Sequence, residues 1–65
     1  MASWTRLVKE ELTNEHCEFF RQGAGDHEIW ASPHTGVKFP LDNKILSRHT
    51  ANEIMKQAGL QHRFR

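Results

Sequence analysis

The sequence predicts an α+β domain in the order α-β-β-β-α, with two helices packed on one face of a three-stranded antiparallel sheet. Three observations predict it. An apolar stripe at helical spacing opens the chain. Short β-prone segments between glycine and proline turns fill its middle. A second helical stripe with a glycine stop lies near its end.

Residues 3–14 read as an amphipathic helix, because Trp4, Leu7, Val8 and Leu12 fall on one stripe with Glu11 at its edge. Ser3 is the expected N-cap and Asn14 the stop. Residues 17–22 read as a strand, which sends Phe19 and Phe20 to opposite faces if it is regular. Gly23-Ala24-Gly25-Asp26 turns the chain and His27 to Ser32 returns. Pro33-His34-Thr35-Gly36 is a second turn, and Val37-Lys38-Phe39 a third strand expected to stop at Pro40. Leu41, Ile45 and Leu46 are expected to anchor the connector over 41–46. A second helix follows over about 50–58, with Thr50 and Glu53 at capping-box spacing. Ala51, Ile54, Met55 and Ala58 face inward, Gly59 takes the C′ position and Leu60 the C″ contact. The tail after Leu60 is expected to fray. Two helices cover one sheet face, so the other faces solvent or a partner.

A chain of 65 residues makes one domain, here 1–65. A domain near this size buries only about 60% of the surface that its unfolded chain exposes. That leaves no room for a deep pocket or a cofactor domain, so any chemistry is expected on a surface or a shallow groove. The net charge of +1 is not that of a strongly basic nucleic-acid binder. The charge is uneven: Glu10, Glu11 and Glu15 lie early, and Arg48, Lys56, Arg63 and Arg65 lie late. Cys17 is the only cysteine, which excludes an internal disulfide and fits a reducing compartment. Its acidic neighbours argue for core filler over a catalytic thiol. No apolar leader region and no membrane-length apolar run is present, so a cytoplasmic protein is expected.

His27 is the first candidate for chemistry. It stands where the glycine turn meets a strand, held by the strand yet reachable from solvent, and imidazole exchanges protons near neutral pH. A histidine bonded to a turn carbonyl is the plain alternative. Asp26 could orient the ring only if the turn bends it round, because strand neighbours alternate. No metal is expected, since Asp26, His27 and Glu28 cannot easily chelate one ion and no paired His or Cys spacing is present. No phosphate-cradling or dinucleotide motif occurs. Trp30 and the phenylalanines could stack on bases, but so small a domain needs its large aromatics inside. Arg21, across the hairpin from His27, could hold a phosphate or pair with Glu28. Arg48 and His49 precede the second helix, where the helix terminus favours an anion.

Two blocks carry a family resemblance. Phe20-Arg21-Gln22-Gly23-Ala24-Gly25-Asp26-His27-Glu28-Ile29-Trp30 is similar to a glycine–x–His motif with an aromatic three residues on. Thr50-Ala51-Asn52-Glu53-Ile54-Met55-Lys56-Gln57-Ala58-Gly59-Leu60 is similar to a terminal helix ending in Lys-Gln-Ala-Gly. In this order they resemble the HicA family of bacterial toxins, small RNA-cleaving proteins paired with HicB antitoxins, over nearly the whole chain. The resemblance implies a fold like a double-stranded-RNA-binding domain, and metal-independent cleavage of mRNA without a cofactor. It puts the key catalytic role on His27. Two departures stand out. Where many members have Pro-x-His after the third strand, this chain has Pro40-Leu41-Asp42, and where many have Gly-Thr before the last helix it has His49-Thr50. RNA contacts are expected from Arg21, Lys38, Arg48 and His49. The expected partners are single-stranded mRNA and a HicB-like antitoxin, with no membrane. A non-catalytic RNA-binding module of the same fold is the main alternative, and a purely protein-binding domain the third.

Overall fold

A computed structural model describes residues 3–65, so Met1 and Ala2 of the expected domain lie outside the described residues. The order is α1 (Thr5–Asn14), β1 (Glu18–Gln22), β2 (His27–Ala31), β3 (Lys38–Asp42) and α2 (Arg48–Gln57). The strands form one antiparallel sheet in the order β1-β2-β3, so the expected α+β architecture is present. The core takes Val8 and Leu12 from α1, Trp30, Phe39 and Leu41 from the sheet, and Ala51, Ile54 and Met55 from α2. Cys17, Ile45, Ala58 and Leu60 close it from the connections.

Several element ends differ from expectation, each for a local reason. Ser3 does not cap α1, which starts at Thr5 behind Trp4, a residue without a side-chain cap bond. Instead the 43–45 segment secures the start. The Trp4 N–H donates to the Ile45 carbonyl (2.8 Å), and the Thr5 hydroxyl donates to the Asn43 carbonyl (2.9 Å) and accepts from the Ile45 N–H (3.0 Å). Leu7 and Leu46, expected inside, are 47% and 71% exposed. Cys17 precedes β1 and is buried in the core, where burial pushes its thiol pKa up. That is the environment of filler, as expected.

β3 runs through Pro40 instead of stopping there. Pro40 opposes Ile29, while the Asn43 N–H bonds the Asp26 carbonyl (3.1 Å) and the Ser32 N–H the Val37 carbonyl (3.1 Å). These bonds fix the alternation so that Pro40 occupies a non-hydrogen-bonded position. Its missing N–H then lies on the free edge of the sheet, the one place where a strand tolerates proline.

α2 starts two residues early. Ser47, in extended backbone, accepts from the Thr50 N–H (3.1 Å), so Ser47 is the cap and the expected Thr50–Glu53 box does not form. The other end is as expected. Gly59 (φ 77°) donates to the Lys56 carbonyl and Leu60 to that of Met55, both at 3.0 Å, which closes a Schellman motif. The tail does not fray at Phe64. The Asn52 amide clasps its backbone (2.7 and 3.1 Å), and its ring packs on Trp4 with centroids 5.4 Å apart.

Candidate functional site

Alternation along the strands sorts side chains onto two faces. Glu28, Trp30, Phe39 and Leu41 face the helices; His27, Ile29, Ala31, Lys38, Pro40 and Asp42 share the open face. The edge strand β1 adds a twist to this order. Its register shifts between Phe19, opposite Trp30, and Arg21, opposite Ile29. Phe20 is therefore the extra residue of a β-bulge, a device that re-aims side chains. A regular strand would have turned Arg21 toward the helices. The bulge instead puts Arg21 on the open face, next to Phe20, whose ring lies 4.6 Å from the Lys38 ammonium.

His27 is held through its backbone. Its carbonyl accepts from the Gly23 N–H (2.9 Å) and the Gln22 amide (2.9 Å), and its N–H donates to the Ala24 carbonyl (3.1 Å). Gly25, with φ 61°, supplies the left-handed residue that this tight turn requires. From behind, Asn43 ties the turn to α1. Its N–H and side-chain amide both donate to the Asp26 carbonyl (3.1 and 2.7 Å), and its Oδ1 accepts from Lys9 Nζ (3.0 Å). Lys9 also donates to Glu28 Oε2 (3.3 Å), whose other oxygen accepts the Trp30 indole N–H (2.9 Å). The indole bond, and then the Lys9 ammonium, hold the Glu28 carboxyl below the usual carboxylate range despite some burial.

The His27 ring itself is exposed and makes no hydrogen bond or ion pair with any described residue. The Asp26 carboxylate makes no hydrogen bond or ion pair with it, and only that residue's backbone carbonyl is engaged, by Asn43. The carboxylate on the face of His27 is Asp42, its register partner in β3. They form a non-hydrogen-bonded pair, the geometry that brings cross-strand side chains closest. No ion pair links them, and Asp42 Oδ1 accepts from the Lys44 N–H (2.8 Å). Asp42 occupies the last position of Pro40-Leu41-Asp42, where the resembling family often has histidine, but only the strand register reveals what it faces.

Of the expected RNA contacts, Arg21 and Lys38 share the open face with His27. Arg21 donates to the Gln22 carbonyl (3.2 Å) and does not pair with Glu28, which opposes Gln22 on the other face. Arg48 and His49 open α2, which packs on the covered face, and His49 leans toward Glu53 (3.9 Å). They do not join the His27 group. The expectation that the aromatics lie inside holds for Trp30 and Phe39, but Phe19 and Phe20 are 51% and 53% exposed. A groove along α1, lined by Thr5, Arg6, Lys9, Glu10 and Thr13, lies on the helix side, where Glu10 pairs with Arg6 (3.8 Å) and Lys9 is held by Glu28 and Asn43. Among the described residues no three His, Cys, Asp or Glu side chains gather in a metal-binding cluster, and no helix is long and apolar enough to cross a membrane. The chain matches no protein-family model, no curated protein and no solved structure.

Proposed function

We propose that this chain is an endoribonuclease toxin of the HicA kind, cutting single-stranded mRNA on the open sheet face without a metal. The observation that carries the reading is His27 itself. Its backbone is fixed by three hydrogen bonds, its ring is free and exposed, and Arg21 and Asp42 share its face. A proton-transfer group needs that combination of fixed position and open access.

The chemistry needs few groups. The neutral His27 imidazole takes the proton of a ribose 2′-hydroxyl. The 2′-oxygen attacks the adjacent phosphorus, the bond from phosphorus to the 5′-oxygen on its far side breaks, and that oxygen takes a proton from water. The products are a 2′,3′-cyclic phosphate and a 5′-hydroxyl. Arg21 offsets the charge that gathers on the phosphoryl oxygens. Asp42 stands where it can stabilise the imidazolium when it forms. An unpaired strand suits a flat face, since RNA sequence is read mostly on unstacked bases.

A HicB-like antitoxin would restrain such an enzyme by covering His27, and its substrate would place it in the cytoplasm. The test is incubation of the protein and its His27→Ala variant with long unstructured RNA in EDTA. Cleavage by the parent and a loss of about 10²- to 10⁴-fold in the variant are expected. Equal cleavage by both would refute the assignment. One observation favours a second reading, a non-catalytic RNA-binding module: no described carboxylate touches the His27 ring. Salt-sensitive RNA binding with no cleavage by either protein would decide for it.

A further inference from the structure

We propose that Phe20 is a nucleobase-stacking residue, and that the open face seats single-stranded RNA with one base on the Phe20 ring and the adjoining phosphates on Arg21 and Lys38. This deepens the ribonuclease reading by naming what holds the strand beside His27.

Four observations carry it. The bulge turns two consecutive side chains, Phe20 and Arg21, onto the same face. An aromatic ring and a guanidinium side by side are the parts that a single strand requires, one for a base and one for its phosphate. Next, Phe20 is 53% exposed and belongs to no core cluster, so the fold does not account for it. Phe19 makes the contrast. It is 51% exposed, but its ring meets Trp30 edge-on with centroids 6.5 Å apart, which ties it to the core.

Third, Lys38 stands over Phe20, 4.6 Å from the ring centroid. The ammonium holds the ring in place and is itself a phosphate contact, and Phe20 keeps about half of its surface open to solvent. Fourth, Ile29 and Pro40 lie beside Arg21 in the cross-strand row, giving the base an apolar floor. His27 precedes Ile29 by two residues in β2, about 7 Å away on a strand. A base on Phe20 therefore leaves its neighbouring phosphate within reach of both Arg21 and His27. Of the carboxylates on this face, Asp42 sits in the His27 row and Glu18 in the Ala31–Lys38 row, two residues before Phe20, and neither lies in the Arg21 row.

The test measures binding of a short fluorescent single-stranded RNA in EDTA, in the His27→Ala background so that the probe stays intact. Phe20→Ala is expected to weaken binding about 10- to 100-fold, and Phe20→Tyr to retain it. Thermal melting of each variant checks that the fold is kept. Unchanged binding by Phe20→Ala overturns the proposal, as does an equal loss in a folded Phe20→Tyr. If the parent binds no RNA, the proposal fails and the face belongs to a protein partner. Parallel cleavage assays with native His27 separate the two readings. Phe20-dependent binding without cleavage keeps the stacking site and rejects the nuclease; cleavage indifferent to Phe20→Ala does the reverse.

Discussion

The two faces of this one sheet are held in opposite ways. On the covered face, polar groups find partners: Glu28 takes the Trp30 indole and Lys9, and the buried Ser32 beyond β2 donates to the Ala58 carbonyl (2.6 Å). On the open face the His27 ring has none among the described residues, Arg21 bonds one backbone carbonyl, and Lys38 lies over the Phe20 ring. Neighbouring residues of the same strand serve the two purposes in turn, so stability and chemistry are separable at single-residue resolution. Substitutions one position apart should then differ in kind.

The sharpest contrast sets Leu41 against His27. Leu41 is fully buried, and Leu41→Ala should cost about 2–5 kcal/mol. A core of this size rarely supplies more than about 3–5 kcal/mol, so the variant should lose half or more of its stability, read as a steep fall in its urea midpoint by circular dichroism. His27→Ala should lower cleavage about 10²- to 10⁴-fold yet keep its unfolding free energy, from urea titration, within about 0.5 kcal/mol of the parent. A His27→Ala protein that melted early would break the separation of the faces.

Glu28 tests the covered face more gently. Its folded-state pKa lies below the unfolded one, so its contribution is present above the unfolded carboxyl range and is lost as pH falls through the folded value. Glu28→Gln keeps the shape and removes the charge. It should lose about 1 kcal/mol at neutral pH, and the gap should close as both proteins are taken below the ordinary carboxylate range. Urea titrations at pH 7 and pH 3.5 would measure it. A gap independent of pH would assign the effect to hydrogen-bond geometry instead of charge.

The fold was legible where local chemistry speaks loudly. Gly59-Leu60 announced the end of α2, and the glycine turn at 23–26 and the Pro-to-Gly turn at 33–36 announced the hairpins. It was illegible where a distant segment or an extra residue decides. Ser3 looked like a cap, but α1 starts against the Asn43–Ile45 segment, a contact no local pattern encodes. Pro40 looked like a stop because its edge position depends on strand order. For the candidate site, the position of His27 followed from its turn and strand. The face of Arg21 did not, since one inserted residue at Phe20 reverses every side chain after it. The Asp42 partnership is likewise a register fact.

The smallest effect should come from His16, at the end of α1, on the rim of a groove that Glu18, Ala31 and Lys38 also line. Both helices end in the same bond pattern. At the end of α1, His16 donates to the Thr13 carbonyl (3.0 Å) and Cys17 to that of Leu12 (2.9 Å). The pattern needs a left-handed residue, and here it is His16 with φ 69°, where α2 uses Gly59. A side chain in that conformation is strained, which is why His16 gave no stop signal in the sequence. His16→Gly relieves the strain but frees the unfolded chain, so the net gain should be at most about 1 kcal/mol in urea unfolding. Cleavage by the folded protein should stay within about twofold of the parent. A larger change would mean that the His16 side chain itself takes part in the groove that it shares with Lys38, and that the substrate extends to the end of α1.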